Sequence, residues 1–491
     1  MTMSLRLYNT RTRALQEFAP INPPTVRIYV CGMTPSAESH LGHARSFLFF
    51  DVLRRYLKHL GYQVTYVQNV TDIDDRSIAR GIETGENWYD IVTAYYTSFL
   101  HSMQLLGWTP PDLEPHATHY IEKIIAMIAE LIERGFAYPS KDGVYFRVSK
   151  FPQYGSLSHR NLDELVSGAR IEVDEFKNDP LDFALWKFAK PGEPFWESPW
   201  GAGRPGWHIE CSAMARELLG EHFDIHGGGA DLIFPHHENE IAQSTPLMSD
   251  SSKPMSEFWM HGGLLLFEGK KMSKSLGNFE PMSAVLQRHD PQAIRLLFLQ
   301  TSYRKPMNFT EDSIGAATTV LTRIRQGYRE LHALADGQGG GEIVGGALTE
   351  SLEAALNEDM NTSVALSKVV AAASTPAVLL RAHGDDARKA FAELHHALDV
   401  LGLSPDVRWL KAGHAALPAD FLERLGKEVG PEVSLNGDSG EAAIARIIAL
   451  RTQVRSEKNW AESDRLRDVL ARCGVILKDS KEGTTWNVAP G

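Results

Sequence analysis

Residues 26–75 read VRIYVCGMTPSAESHLGHARSFLFFDVLRRYLKHLGYQVTYVQNVTDIDD. An apolar run ends at Cys31, apolar residues then recur at helical spacing over residues 42–60, and a second apolar run covers residues 63–70. Gly61 favours the end of the helix between them. Strand, helix and strand in this order are typical of a doubly wound parallel sheet, in which ligands bind at the carboxyl ends of the strands. We therefore predict an α/β fold with a site at that edge.

The tetrapeptide HLGH, residues 40–43, stands at the beginning of that helix. Backbone N–H groups and the helix dipole favour phosphate there, Gly42 allows a close approach, and the imidazoles of His40 and His43 can donate to phosphate oxygens. Two histidines near a turn are also common as solvated polar residues. The tetrapeptide alone therefore leaves a phosphate site and a solvated turn both open.

Residues 206–240 read GWHIECSAMARELLGEHFDIHGGGADLIFPHHENE and combine a thiol with imidazoles and carboxylates. His236 and Glu240 are four residues apart and would share one face of a helix that begins directly after the preceding proline. With Cys211, and with Cys31 from a neighbouring parallel strand, they would offer zinc four ligands of the kinds it prefers. Because no CxxC pair is present, metal-free buried cysteines and hydrogen-bonded histidines remain an equal alternative.

Two further segments have their own character. Residues 95–200 interrupt the α/β pattern with an amphipathic helix over residues 118–134 and with aromatic and Pro-rich stretches, and we interpret them as an insertion. The pentapeptide KMSKS covers residues 271–275. Its Lys271 and Lys274 could close over a polyphosphate and neutralise its charge in a transition state. A solvated lysine loop is the alternative interpretation.

The composition is that of an ordinary globular chain. Its 491 residues, 43% hydrophobic and 23% charged, are enough for about three or four domains. The net charge of −12 argues against a general nucleic-acid coat but permits a local basic patch. Three cysteines without a disulfide pattern, no signal peptide and no membrane-spanning apolar run predict a cytoplasmic location and no membrane partner.

HLGH, a long insertion and KMSKS in this order resemble the class I aminoacyl-tRNA synthetases. Nearly the whole chain resembles the cysteinyl-tRNA synthetase family, through Cys31-Gly32, HLGHARSF, YVQNVTDIDD, GWHIECSAMA, FDIHGGGADLIFPHHENEIAQS and KMSKSLGN. The resemblance implies a cysteine–tRNA ligase that forms cysteinyl adenylate from cysteine and ATP and transfers cysteine to the terminal ribose of a cysteine tRNA. It also implies one Zn²⁺ per chain, Mg²⁺ with the ATP, and a monomer.

The resemblance assigns roles to individual residues. The family's zinc ligands, which receive the substrate thiolate and so reject serine, match Cys31, Cys211, His236 and Glu240. The residues that enclose the amino acid match Thr34, Thr71, Trp207 and His226. The catalytic motifs and the ATP site match His40, Gly42, His43, Gly229, Asp231, Lys271 and Lys274. The anticodon contacts match Arg455, Trp460, Asp464 and Asp479.

By the same resemblance the chain has five parts. They are a Rossmann-like catalytic domain over residues 1–250 with an inserted acceptor-stem region at about 95–200, a KMSKS loop and connecting region over 251–312, a helical anticodon-binding bundle over 313–402, a linker over 403–440, and a small α+β anticodon-recognition domain over 441–491. From residue 441 onwards, nine Lys or Arg stand against seven Asp or Glu. This segment is locally positive in an acidic protein.

One segment departs from the family's pattern. The family usually reads Cys-Gly-Pro-Thr-Val-Tyr after its first strand, whereas residues 31–36 read CGMTPS. A related ligase that joins cysteine to the amine of a glucosamine-inositol is the second hypothesis, and Glu240 and residues 441–491 favour the tRNA ligase over it. A catalytically idle paralogue that binds nucleic acid is the third. The intact HLGH, KMSKS and zinc residues argue against the third hypothesis.

Overall fold

A computed structural model of the chain describes residues 4–160, 176–271, 279–335, 345–374, 384–405, 407–410, 417, 420–429, 440–457, 459–480 and 483–488. The chain divides into two compact units, Met1–Pro405 and Asp406–Gly491.

The first unit mixes strands and helices. Its described strands are β1 (Arg6–Asn9), β2 (Ala14–Glu17), β3 (Thr25–Met33), β4 (Gln63–Val70), β5 (Ala137–Pro139), β6 (Gly143–Phe146), β7 (Phe183–Phe188), β8 (Gly203–Pro205), β9 (Phe223–Gly229), β10 (Ser256–Gly262), β11 (Leu265–Phe267), β12 (Lys270–Lys271) and β13 (Met307–Phe309). Its described α-helices are α1 (Leu41–His59), α2 (Asp75–Thr84), α3 (Trp88–Leu105), α4 (Ile121–Glu133), α5 (Trp207–Leu219), α6 (Glu238–Ser244), α7 (Met282–Arg288), α8 (Pro291–Leu299), α9 (Glu311–Leu334), α10 (Ala347–Leu356), α11 (Thr362–Ala373) and α12 (Gly384–Val400).

A four-stranded sheet in the order β10–β9–β3–β4 forms the centre of this unit, and all its strands are parallel. The apolar residues of β3 are buried, as expected for a parallel strand covered on both faces. The predicted parallel α/β fold is therefore confirmed. The strand predicted over residues 63–70 is observed with those bounds, and α1 begins one residue before its predicted start.

Helix α1 packs closely on this sheet. A Cβ atom added to Gly227 of β9 would lie 2.2 Å from the ring of Phe50, so only glycine allows this approach. The N-terminus of α1 is capped by His40, whose Nδ1 accepts from the backbone N–H of Gly42 at 3.0 Å. The HLGH tetrapeptide thus forms the N-cap and the first residues of α1, at the carboxyl edge of the sheet.

An antiparallel sheet in the order β5–β6–β7–β8 interrupts the parallel pattern. It shares a hydrophobic core with α4 and α5. The prediction of a continuous helix over residues 118–134 is wrong at its start. Ala117–His119 form a 3-10 turn, and α4 begins at Ile121. The carboxylate of Asp72 accepts from the N–H of Thr118 at 3.0 Å and from its hydroxyl at 2.6 Å, which holds this turn against the end of β4.

The second unit is small. It contains α13 (Val407–Leu410), α14 (Phe421–Val429), α15 (Gly440–Ser456), α16 (Trp460–Arg472) and the antiparallel hairpin of β14 (Val475–Ser480) and β15 (Gly483–Val488). Buried residues of α14, α15, α16 and the hairpin form one core. Among the residues that the structure describes, no helix is both long and apolar enough to cross a membrane.

Candidate metal centre and active site

Four residues from distant parts of the sequence meet in a buried cluster near the carboxyl end of β3. Cys31 lies in β3, Cys211 in α5, His236 in the turn before α6 and Glu240 in α6. Their ligand atoms all lie within 4.8 Å of one another. The sulfur atoms are 3.7 Å apart, and Glu240 Oε1 lies 3.3 Å from Cys31 Sγ and 3.1 Å from His236 Nε2. The structure therefore brings together the four predicted metal ligands.

The helix expected to begin directly after Pro235 begins at Glu238 instead. Phe234 has extended backbone angles, φ −138° and ψ 131°, and Ile233–His237 form a wide turn. The residue before a proline avoids the helical conformation, which accounts for the extended angles of Phe234. His236 still faces Glu240, because the turn continues directly into α6.

His226 and His237 form a second group of four donors with Cys31 and Glu240, and its ligand atoms also lie within 4.8 Å of one another. Both rings pack against the buried Trp259, at centroid distances of 4.5 Å and 5.3 Å. His226 Nε2 lies 3.0 Å from Glu240 Oε2, and His237 Nε2 lies 3.3 Å from Cys31 Sγ. Hydrogen bonds of this kind orient metal ligands from outside the coordination sphere.

Access to solvent distinguishes the two groups. All members of both groups are buried, but the ring of His236 lies 4.4 Å from that of Trp207, which is 42% exposed, whereas His226 and His237 pack against the buried Trp259. A substrate can reach a metal ion only where the cluster borders the solvent. The group with Cys211 and His236 is the one that lies beside an exposed side chain, and its two thiols, imidazole and carboxylate are donors of the kinds that zinc takes.

The charges of the cluster also fit a cation. Burial, together with the adjacent Cys211, raises the pKa of Cys31 well above its ordinary value. Burial opposes ionisation of Glu240, but His226 and His236 hold the pKa of that carboxyl well below its usual range. Against the effect of burial, Glu240 raises the pKa of His236 to about 10, and the hydrogen bond with Cys31 lowers the pKa of Cys211 to about 6. A divalent cation stabilises such a buried group of carboxylate and thiols.

Sequence reasoning missed the outer partners of the ligands. His208 Nδ1 lies 2.9 Å from His236 Nδ1, and His237 lies beside Cys31 as described. Helical spacing gave one signal, because His208 precedes Cys211 by three residues and so shares its face of α5. The adjacent pair of histidines at 236 and 237 gave another.

The residues predicted to enclose the amino acid lie around this cluster. Thr71 is buried at the end of β4, where Asn69 donates to its hydroxyl at 3.3 Å and also approaches Cys211 at 3.7 Å. Thr34 follows β3 and is half-buried. Trp207 covers His236, as described above. Both ring nitrogens of His226 have partners within the protein. Nε2 lies beside Glu240, as described above, and Nδ1 lies 3.1 Å from the carbonyl oxygen of Tyr29.

The predicted phosphate-binding residues lie at the N-terminus of α1. The rings of His40 and His43 are stacked, with centroids 3.9 Å apart. Burial, with a smaller contribution from His40, lowers the pKa of His43 to about 3, so its ring is neutral. Gly229 ends β9, and the exposed Asp231 follows it in a short 3-10 turn.

The segment after KMSKS also approaches this helix. Lys271 ends β12, and Lys274 lies outside the described residues. Phe279 meets the ring of His40 edge to face at 5.9 Å, and the N–H of Met282 donates to the carbonyl of Ser39 at 2.8 Å. Phe279 and Met282 thus lie against the start of α1.

The predicted anticodon residues belong to the second unit. Arg455 lies in the last turn of α15, and Trp460 is the first residue of α16, with 58% of its surface exposed. Asp464 is exposed one turn further along α16 and lies 3.4 Å from Arg467. Asp479 is in β14, and its side chain lies outside the description.

Comparison with known proteins identifies the family. Residues 17–319 match the family model of the class I (C) tRNA synthetase catalytic domain, and residues 439–486 match that of the cysteinyl-tRNA ligase anticodon binding domain. The cysteine–tRNA ligase of Methylococcus capsulatus is 46% identical, over 98% of this chain and 99% of the relative. That of Stutzerimonas stutzeri is 45% identical, over 99% of this chain and 100% of the relative.

Solved structures support the same fold at low sequence identity. The LeuRS of Agrobacterium radiobacter, in a ternary complex with tRNA and LeuAMS, has a TM-score of 0.58 at 11% identity and covers 80% of this chain and 87% of its own. Methionyl-tRNA synthetase of Mycobacterium tuberculosis, in complex with methionyl-adenylate, has a TM-score of 0.54 at 15% identity, over 77% of this chain and 89% of its own. The family models and the full-length relatives together show that the chain belongs to the cysteine–tRNA ligase family of class I synthetases.

Proposed function

We propose that the protein is a cysteine–tRNA ligase, which makes cysteinyl adenylate from cysteine and ATP and transfers the cysteinyl group to the 3′-terminal ribose of cysteine tRNA. The observation that carries this proposal is the buried cluster of Cys31, Cys211, His236 and Glu240, which borders a half-exposed tryptophan near the HLGH helix. Similarity to cysteine–tRNA ligases over the full length supports it.

The cluster would hold one zinc ion through Cys31, Cys211, His236 and Glu240. When bound, zinc supplies a soft Lewis acid that favours a thiolate over a hydroxyl, and this discriminates cysteine from serine without an editing step. The chain's own residues do the remaining work. Thr34, Thr71 and Trp207 would enclose the amino acid, and His226 would hold Glu240 in place.

The N-terminus of α1 would bind the ATP phosphates. The dipole of the helix favours an anion at this end, Gly42 permits a close approach, and the rings of His40 and His43 can donate hydrogen bonds. Gly229 and Asp231 would contact the nucleotide, which enters with Mg²⁺. Lys274, with Lys271 as a weaker companion, would neutralise charge as the cysteine carboxylate attacks the α-phosphate in line.

The second unit would read the anticodon of the tRNA. Its exposed Trp460 offers a stacking surface, and Arg455, Asp464 and Asp479 offer groups for base edges. We also propose the five parts predicted from the sequence, with α14 of the predicted linker packed into the core of the second unit, and a monomeric enzyme. Its three free cysteines suit a reducing cytoplasm.

The substitution Cys211→Ser tests the metal centre. A serine hydroxyl is a poor zinc ligand, so we expect loss of bound zinc together with loss of cysteine-dependent ATP–pyrophosphate exchange. Zinc content and exchange rate are the measurements. Cys473→Ser is the matched control, because Cys473 belongs to the core of the second unit. Retention of both zinc and exchange by Cys211→Ser would refute the assignment.

A further inference from the structure

A line of hydrogen bonds runs from the metal cluster to the N-terminal hairpin of β1 and β2. His237 Nε2 lies 3.3 Å from Cys31 Sγ, and His237 Nδ1 lies 2.7 Å from His261 Nε2. His261 Nδ1 lies 2.8 Å from the hydroxyl of Thr10. The four residues come from β3, the turn before α6, β10 and the turn after β1. Thr10 precedes the region that the catalytic-domain family model matches, residues 17–319.

Thr10 is held in place by its neighbours. Its N–H donates to the carbonyl of Trp259 at 2.9 Å. The adjacent Asn9 accepts from the N–H of Trp259 at 3.1 Å and donates to the carbonyl of Glu257 at 2.8 Å. These bonds attach the hairpin to β10, the strand that carries His261. The Thr10 hydroxyl therefore meets the ring at a fixed position.

The donors and acceptors along this line have one consistent arrangement when Cys31 is a thiolate, the form in which cysteine binds a metal. A thiolate only accepts, so His237 must donate from Nε2. A neutral His237 then accepts at Nδ1, which requires His261 to donate from Nε2 and to accept at Nδ1. His261 is buried, and burial lowers its pKa to about 3, so its ring is neutral. The hydroxyl of Thr10 is the donor that completes the series.

We propose that Thr10 and His261 are positioning residues for the metal centre, because they fix the tautomer in which His237 donates to the Cys31 thiolate. Without the Thr10 hydroxyl, His261 can carry its proton on Nδ1. Its Nε2 lone pair then faces His237, which favours the His237 tautomer that has no proton for Cys31. The inference rests on the proposed function, since it requires that Cys31 is a metal ligand.

The test is the substitution Thr10→Val, which keeps the shape of the side chain and removes the hydroxyl. We expect zinc affinity, measured by chelator competition on the full-length protein, to fall by about tenfold, at the lower end of the effect of outer partners. We also expect a shift of the thiolate-to-metal charge-transfer band in the Co²⁺-substituted protein. Thr10→Ser should restore both. Thr12→Val is the matched control, since Thr12 is an exposed residue of the same hairpin that bonds to Gln16.

The outcomes separate the two proposals. Unchanged zinc affinity and an unchanged Co²⁺ band in Thr10→Val, with a wild-type protein that binds zinc and activates cysteine, would overturn this inference alone. Equal losses in Thr10→Val and Thr12→Val would also overturn it, because the hairpin rather than the hydroxyl would then be responsible. A wild-type protein that binds no zinc would overturn the metal assignment and this inference together.

Discussion

The two oxygens of Glu240 have separate partners. Oε2 lies 3.0 Å from His226 Nε2, whereas Oε1 lies on the side of His236 and Cys31, at 3.1 Å and 3.3 Å. One imidazole thus holds the carboxylate in place while its other oxygen remains directed at the thiol. The substitution Glu240→Gln would place an N–H donor where a carboxylate oxygen accepts. Glutamine therefore cannot take the place of Glu240.

His116 gives the protein a pH dependence outside the metal centre. It lies 3.4 Å from Asp72 and 3.6 Å from Glu114, and hydrogen bonds to these carboxylates raise its pKa from 6.5 to about 9. Because the pKa of His116 is higher in the folded state, its stabilisation is full below about pH 6.5 and is lost as the pH rises through about 9. The ring is partly exposed, so screening reduces the effect to about 1 kcal/mol.

Urea unfolding at about pH 6.5 and about pH 9 checks this prediction. Between these two pH values the free energy of unfolding of the wild type should fall by about 1 kcal/mol, whereas that of His116→Gln should not. If the variant shows the same loss as the wild type, another group is responsible for it.

Residue spacing predicted the metal ligands but not the residues that support them. His236 and Glu240 are four residues apart, and the chain has only two other cysteines besides Cys211, so few combinations were available. The outer partners depend on which elements pack together. His261 in β10 reaches His237 only because β10 lies beside β9 in the parallel sheet. The spacing of residues along the chain does not predict this contact.

A buried ion pair joins helix α1 to helix α8. Arg295 Nη2 lies 2.5 Å from Asp51 Oδ2, and both side chains are buried. Arg295 also donates to the carbonyl of Leu401 at 3.1 Å, just after α12. A Cβ atom added to Gly402, at φ +68°, would lie 1.7 Å from the guanidinium, so glycine is required there. The helix that begins with HLGH is thereby tied to two other helices.

The substitution Asp51→Asn should therefore destabilise the first unit. It leaves the Arg295 charge buried without its partner, and we expect a loss of about 3–5 kcal/mol in the free energy of unfolding, measured by urea denaturation. Glu358→Gln is the control, because Glu358 pairs with Arg6 at an exposed site, where the loss should stay below about 1 kcal/mol. Similar small losses in both variants would show that the buried pair does not hold α1.

Periodicity located most elements near the site, since β4 and α1 follow apolar patterns with periods set by the backbone. Periodicity did not predict where helices α6 and α4 begin. The wide turn before α6 depends on the backbone of Phe234 next to a proline, and the late start of α4 depends on Asp72, a residue remote in sequence. Local sequence patterns do not predict the contact between Asp72 and Thr118.

Amino-acid activation and tRNA reading belong to different units of the proposed enzyme. Trp460→Ala in the second unit should lower kcat/KM for tRNA charging by about 10–100-fold, because a base stacked on an aromatic ring contributes about 1–3 kcal/mol. ATP–pyrophosphate exchange should be unchanged, because it uses the first unit. Leu422→Ala, at an exposed residue of α14, is the control. Loss of exchange as well as charging would contradict this division of roles.

The proposed enzyme charges cysteine tRNA with cysteine and rejects serine. The direct measurement is aminoacylation of cysteine tRNA by the purified, zinc-loaded protein, with serine as competitor and a glucosamine-inositol amine as a parallel acceptor. We predict cysteine on the tRNA, no serine on it, and no transfer to the amine. Cysteine that is activated but passed only to the amine, or serine found on the tRNA, would contradict the proposed function.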